Sequence, residues 1–211
     1  NVFDKDAEDL LVTLRTDALT MTLSSDMFAG ETLDADQLTF NIRIVQPDEH
    51  RMVQLADRPA YEIFISDGDK RIAWSHPRSA VRVEIPYKPS AAETNHEFIV
   101  VWHIDEQGRI TTITNGRYAA ETESVAFTTT HFSRFAIAYA AKTFADLAAY
   151  PWAKHEIEVM AAKEVIKGVS ADAFAPGQTL TRADYALLLT RVFALEGLVD
   201  GIHAQQFADV K

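Results

Sequence analysis

Between Leu10 and about Ala140, apolar and polar positions alternate along the chain. Leu38, Phe40, Ile42 and Ile44 fall on one side of an extended segment, Val81, Val83 and Ile85 on one side of a second, and Phe98, Val100, Trp102 and Ile104 on one side of a third. A period of two is the signature of half-buried β-strands. Turn residues separate the runs: Ser66-Asp67-Gly68-Asp69, Asp105-Glu106-Gln107-Gly108 and Asn115-Gly116 accept positive φ or mimic a backbone turn. About eight to ten strands are expected, too many for one flat sheet, so the segment reads as an antiparallel β-sandwich with meander or Greek-key connections.

After Lys142 the spacing changes. Ala153, Ile157, Met160, Ala161 and Val165 recur at helical intervals, with Pro151 suited to a first helical turn and Gly168 to a helix end. A second helix is expected from Thr181, because Thr181-Arg182-Ala183-Asp184 has the form of a capping box. Its apolar stripe runs through Tyr185, Leu188, Leu189, Val192, Phe193 and Leu195 toward Gly197. Phe144-Ala145-Asp146-Leu147 returns as Phe207-Ala208-Asp209-Val210, the spacing of a tandem helical repeat. The expected organisation is therefore β plus α: a β-sandwich over residues 1–140, a helix-loop-helix repeat over 141–205, and the opening of a second repeat over 206–211. With no initiator Met and an abrupt end, the chain is expected to be a piece of a longer protein.

Composition narrows the function. The 211 residues carry a net charge of −11, which argues against nucleic acid or an anionic membrane as partner. Residues 1–140 hold 22 acidic against 13 basic side chains and residues 141–211 hold 9 against 7, so the helical part would repel an anionic ligand far less. There is no cysteine, which removes disulfides, thiolate metal sites and cysteine nucleophiles. No apolar run reaches the ~18 residues needed to cross a bilayer, and no cofactor-binding loop is recognisable.

The helical part resembles the S-layer homology repeat. The resemblance runs in order through Phe144 and Asp146, Trp152-Ala153, Ile157, Ile166-Lys167-Gly168, Phe174, Pro176 and Thr181-Arg182-Ala183-Asp184, with Asp184 where the family usually has Glu. It implies non-covalent attachment to a secondary cell wall polymer, often through a pyruvylated glycan end, on the outside of a Gram-positive-type bacterium. By the same resemblance Arg182 supplies the cation, and Asp146, Trp152, Gly168 and Ser170 lie around the groove. A guanidinium forms a forked pair with a carboxylate, and an aromatic face covers the apolar side of a sugar. Judged by residue chemistry alone, Arg182 reads as a solvated residue of a first helical turn and Trp152 as a core anchor. The preceding region is similar to β-rich segments found before such repeats, through Val83-Glu84-Ile85-Pro86-Tyr87, Val100-Val101-Trp102-His103-Ile104-Asp105, Asn115-Gly116-Arg117-Tyr118 and Thr130-His131-Phe132-Ser133. This implies a spacer or assembly module, with neighbouring surface-layer proteins as further partners, and no conventional enzyme.

Two other readings compete. His131-Phe132-Ser133 resembles the self-cleavage site of GAIN-type β-sandwich domains, where a His helps the Ser hydroxyl attack the preceding carbonyl; the break would fall between Phe132 and Ser133. The alternative is a turn into the last strand, with Phe135, Ile137 and Tyr139 alternating. A carbohydrate-binding module of a larger surface enzyme would need a row of exposed aromatics, for which Trp74, Tyr87 and Trp102 are the candidates. The seven His residues show no zinc spacing, so no metal is expected at His103 or elsewhere; Asp34-Ala35-Asp36 and Asp67-Gly68-Asp69 are rich enough in acid for calcium but equally suit turns.

Overall fold

A computed structural model describes residues 10–28, 38–46, 58–76, 79–193 and 195. Asp34-Ala35-Asp36, Gly197 and the second Phe-Ala-Asp copy lie outside them. The strands are β1 (Leu11–Arg15), β2 (Thr20–Ser24), β3 (Thr39–Val45), β4 (Ala60–Asp67), β5 (Lys70–Ile72), β6 (Val81–Pro86), β7 (Ile99–Ile104), β8 (Ile110–Ile113), β9 (Arg117–Ala119), β10 (Ser124–Thr129) and β11 (Arg134–Tyr139). One antiparallel sheet has the order β1-β2-β6-β10-β9; the other has β3-β4-β11-β7-β8, with β5 beside the far end of β4. Two helices follow, α1 (Pro151–Ala162) and α2 (Arg182–Val192). The fold is the β-rich part followed by helices that the sequence pattern indicates.

The core lies between the sheets. Met21, Leu23, Val81, Val83, Ile85, Val125 and Phe127 come from the first sheet, and Ile63, Ile65, Ile99, Val101, Phe135 and Ile137 from the second. Each such side chain contributes about 1.5–3 kcal/mol when removed from water. In β6 the alternation is clean: Val81, Val83 and Ile85 point inward while Arg82 and Glu84 pair outside at 2.7 Å. In β7 it is not. Ile99 and Val101 enter the inter-sheet core, whereas Trp102 and Ile104, expected on the buried face, lie on the outer face against Ala60, Ala136 and Ile110. Both faces of β7 are apolar because its neighbour β11 carries small Ala136 and Ala138 on that outer side, and Val100 and Ala138 are themselves buried.

The end of the sandwich near Tyr139 is fastened by a polar network. Arg58 Nη2 lies 2.6 Å from Glu93 Oε1, Arg58 Nη1 donates to the Tyr87 hydroxyl at 2.8 Å, and that hydroxyl donates to Glu93 Oε1 at 2.7 Å. The Ser90 N–H takes the other Glu93 oxygen at 2.7 Å. Burial alone would raise the Glu93 carboxyl, but the Ser90 N–H, the Tyr87 hydroxyl and Arg58 outweigh it and hold the pKa at about 2. Burial and the bond to Glu93 push the Tyr87 phenol up to about 12.

The first helix ends differently from expectation. α1 stops at Ala162, before Gly168, because Glu164 turns left-handed at φ 57. The Glu164 N–H then reaches Ala161 O and the Val165 N–H reaches Met160 O, both at 3.0 Å, which is the paired closure of a Schellman motif. Gly168 has another role: a Cβ there would stand 2.5 Å from both Ala173 O and the Phe144 ring. Pro151 does open α1. At α2 the capping box forms in full, Asp184 N–H donating to Thr181 Oγ1 and Thr181 N–H donating to Asp184 Oδ2, each at 3.1 Å. Three contacts tie the helical part to the sandwich: His155 to Glu97 at 2.6 Å, Lys163 Nζ to Gly116 O at 2.9 Å, and Thr114 Oγ1 to Arg191 O at 2.8 Å.

Candidate functional sites

The first site is the loop region of the helical part. A 3₁₀ segment (Ala145–Ala149) carries Asp146 in its first turn, and Phe144 beside it packs on Phe174 with ring centroids 5.6 Å apart. Asp146 closes this region on itself. Its oxygens accept the Phe174 N–H at 3.0 and 3.1 Å and the Ala175 N–H at 2.7 Å, and these bonds, Phe174's foremost, hold the carboxyl below the usual range. Ala175 is left-handed at φ 63, a conformation costing an L-residue about 1–2 kcal/mol, so the Asp146 bond secures a strained residue. Ser170 Oγ accepts the Ala173 N–H at 3.1 Å, next to Gly168. Asp146, Gly168 and Ser170 are thus brought together as the frame of one loop.

Trp152 and Arg182 lie in the first turns of α1 and α2. Trp152, in the first turn of α1, is 80% exposed, which overturns its reading as a core anchor. Arg182 opens α2 and is exposed. No side chain of α2 is buried, and Tyr185, Leu187, Leu189 and Val192 face outward.

The second site lies where the chain crosses from the first sheet to the second. Residues 130–133 leave β10 and enter β11, the middle strand of the other sheet. The Phe132 ring is wedged against Trp74, with centroids 4.6 Å apart, and against Phe40 at 6.2 Å. The Phe132 N–H donates to Trp74 O at 3.2 Å, and Ser133 O accepts the Ile63 N–H at 2.9 Å. The peptide groups on either side of the Phe132–Ser133 bond are therefore both fixed. Non-glycine left-handed residues among those described are Glu123, Glu164 and Ala175, so strain at Phe132–Ser133 does not take that form.

Around Ser133 the fold assembles two imidazoles that sequence spacing does not connect. His103 projects from the inner face of β7, opposite Phe135 in register. Its Nε2 is 3.0 Å from Ser133 Oγ, and its Nδ1 is 3.2 Å from Thr111 Oγ1. His131 Nε2 lies 3.3 Å from the same His103 Nε2. Burial, then the neighbouring His131, depresses the His103 pKa to about 4, and burial also lowers that of His131. Both rings are neutral at pH 7. A cleft of about 170 Å³, lined by Thr112, Thr114, Asn115, Thr130 and Arg191 among others, opens on His131.

The three candidate aromatics form no exposed row on the sandwich surface. Trp74 is 2% exposed with its Nε1–H donated to Met27 O at 2.9 Å, Tyr87 is held in the Arg58–Glu93 network, and Trp102 is half-buried over Ala60 and Ala136. Asp67 and Asp69 flank the β4–β5 hairpin, where Gly68 takes φ 54, so their spacing has a turn explanation. Among the described residues no three His, Asp or Glu side chains converge as a metal site, and no helix is long and apolar enough to cross a membrane.

Sequence comparison agrees with the helical part of this picture. The model of the S-layer homology domain matches residues 143–186, which run from the start of the 3₁₀ region into α2. An amylopullulanase of Thermoanaerobacterium thermosulfurigenes is 32% identical over 96 residues, 46% of this chain. The chain spans 5% of that relative's length. No solved structure matches it. The chain is thus a β-rich region followed by a segment that matches the S-layer homology domain, a similarity that suggests cell-surface anchoring.

Proposed function

We propose that this chain belongs to an extracellular surface protein held non-covalently to a secondary cell wall polymer through its helical part, with the β-sandwich as spacer or assembly module. The match of the S-layer homology domain to residues 143–186 carries this reading. Exposed Trp152 and Arg182 are suited to meet a glycan, one by its ring face and the other by charge, while Asp146, Gly168 and Ser170 hold the loop in shape. The relative is an amylopullulanase of which this chain spans only 5%, so an enzyme carried elsewhere on the parent polypeptide fits the same role. The test is co-sedimentation of the parent protein with cell wall sacculi before and after their secondary polymers are stripped, beside the Arg182→Ala variant. Binding that disappears with the polymer and weakens in the variant supports the reading. Equal binding to stripped walls, or none, removes it.

A second reading is favoured by the approach of His103 to Ser133: the sandwich cleaves itself once between Phe132 and Ser133 and stays assembled. A nucleophile within hydrogen-bond reach of a neutral imidazole, beside a bond whose flanking peptide groups are fixed, supplies two of the parts that N-to-O acyl transfer uses. The mass of the purified chain tests it. Two fragments that co-purify support self-cleavage, and a single chain after long incubation refutes it.

A further inference from the structure

We propose that His103, rather than the neighbouring His131 of the tripeptide, is the base that takes the Ser133 hydroxyl proton. The inference rests on the self-cleavage reading above. It stands on three distances. His103 Nε2 is 3.0 Å from Ser133 Oγ, inside the 2.6–3.2 Å reach expected of a general base. His103 Nδ1 lies 3.2 Å from Thr111 Oγ1; in the tautomer that donates the Nδ1 proton to that hydroxyl, the Nε2 lone pair faces the serine, whose hydroxyl also reaches Ile104 O at the longer distance of 3.3 Å. His131 points its Nε2 at His103 Nε2, 3.3 Å away, and so meets the serine through the other ring. Its part is to orient His103 and to border the cleft through which water arrives.

The step balances without a cofactor. Ser133 Oγ attacks the Phe132 carbonyl carbon while its proton passes to His103 Nε2, giving a five-membered tetrahedral intermediate. His103 returns the proton to the Ser133 nitrogen as the C–N bond breaks, leaving Phe132 esterified to Ser133 Oγ. One water then hydrolyses the ester, producing a Phe132 carboxylate and a chain that begins with the free amine of Ser133. His131 is two residues from Ser133 in the chain. His103, on the partner strand of β11, is adjacent in space.

The experiment follows cleavage by intact mass in the whole chain and its His103→Ala, His131→Ala and Ser133→Ala variants, with far-UV circular dichroism on each. The wild type is expected to split with Ser133 as the new N-terminus, and Ser133→Ala to stay whole. His103→Ala should slow cleavage about 100-fold or more, the usual contribution of general-base catalysis, and added imidazole should restore part of it, which a misfolded variant would not show. His131→Ala should slow it less than about tenfold, short of that general-base contribution. A wild type that stays whole removes self-cleavage and this inference together. Cleavage in wild type that persists in His103→Ala, or that is lost in His131→Ala with no imidazole rescue of His103→Ala, leaves self-cleavage standing and overturns the role of His103.

Discussion

The sandwich and the helix α2 treat the same residue types in opposite ways. In the sandwich Ile63, Ile65, Val81, Val83 and Val101 are fully buried, whereas in α2 Tyr185, Leu187 and Val192 are about half exposed. One region contains its own core. The other has regular local structure, with a complete capping box, and an apolar stripe left outside. Local hydrogen bonding is enough to shape a helix, but burial is what makes a region resist unfolding.

Substitutions should separate the two regions by size of effect. Phe135→Ala, in the middle of the core on β11, is expected to cost about 3–5 kcal/mol and to lower the urea midpoint of the sandwich transition. Leu189→Ala in α2 should leave that midpoint within about 0.5 kcal/mol, as surface changes usually do. A large loss from Leu189→Ala would show that α2 is packed in solution and would break the contrast.

Glu93→Ala comes next, at about 3 kcal/mol, since it leaves Arg58 without its buried partner. The same group makes stability depend on acidity. Its carboxyl titrates at about 2 in the folded chain against an ordinary 4.5, so the unfolded chain binds more protons between these values. That contribution is present above pH 4.5 and is lost as the pH falls toward 2. Thermal melts across this range should show a drop that Glu93→Ala lacks. A smaller effect than that of Glu93→Ala is expected from Thr181→Ala, about 1 kcal/mol and confined to α2, read as faster amide exchange in its first turn with the sandwich melt unmoved.

How much could be read beforehand depended on whether the deciding interactions were local. The capping box of Thr181 and Asp184 is three residues long, so its signature is in the sequence itself. Val81, Val83 and Ile85 alternate because one side of β6 faces water. β7 misled because a strand covered on both faces has no polar side to set its parity, and only the small alanines of β11 explain the outer packing. The end of α1 was hidden because Glu164 occupies a left-handed position that usually signals itself as glycine. The contact between His103 and Ser133 joins residues 30 apart through strand register, which no spacing rule encodes. Asp146 was legible as important, but its bonds to Phe174 and Ala175, 28 and 29 residues on, needed the folded loop.

The central position of β11 also has a mechanical consequence. It is the last strand before the helical part, and it pairs with β4 at Arg134, Phe135 and Ala136 and with β7 along its whole length from Arg134 to Tyr139. In a protein tethered by its helices, a pull from the wall enters at Tyr139 along the strand axis. The flanking ladders are then loaded in shear, many hydrogen bonds at once, instead of being peeled open one at a time. Were the chain cut before Ser133, as the second reading proposes, that grip would be what keeps the tether joined to everything upstream, and the force needed to draw β11 from between its neighbours would set how long the protein stays on the cell.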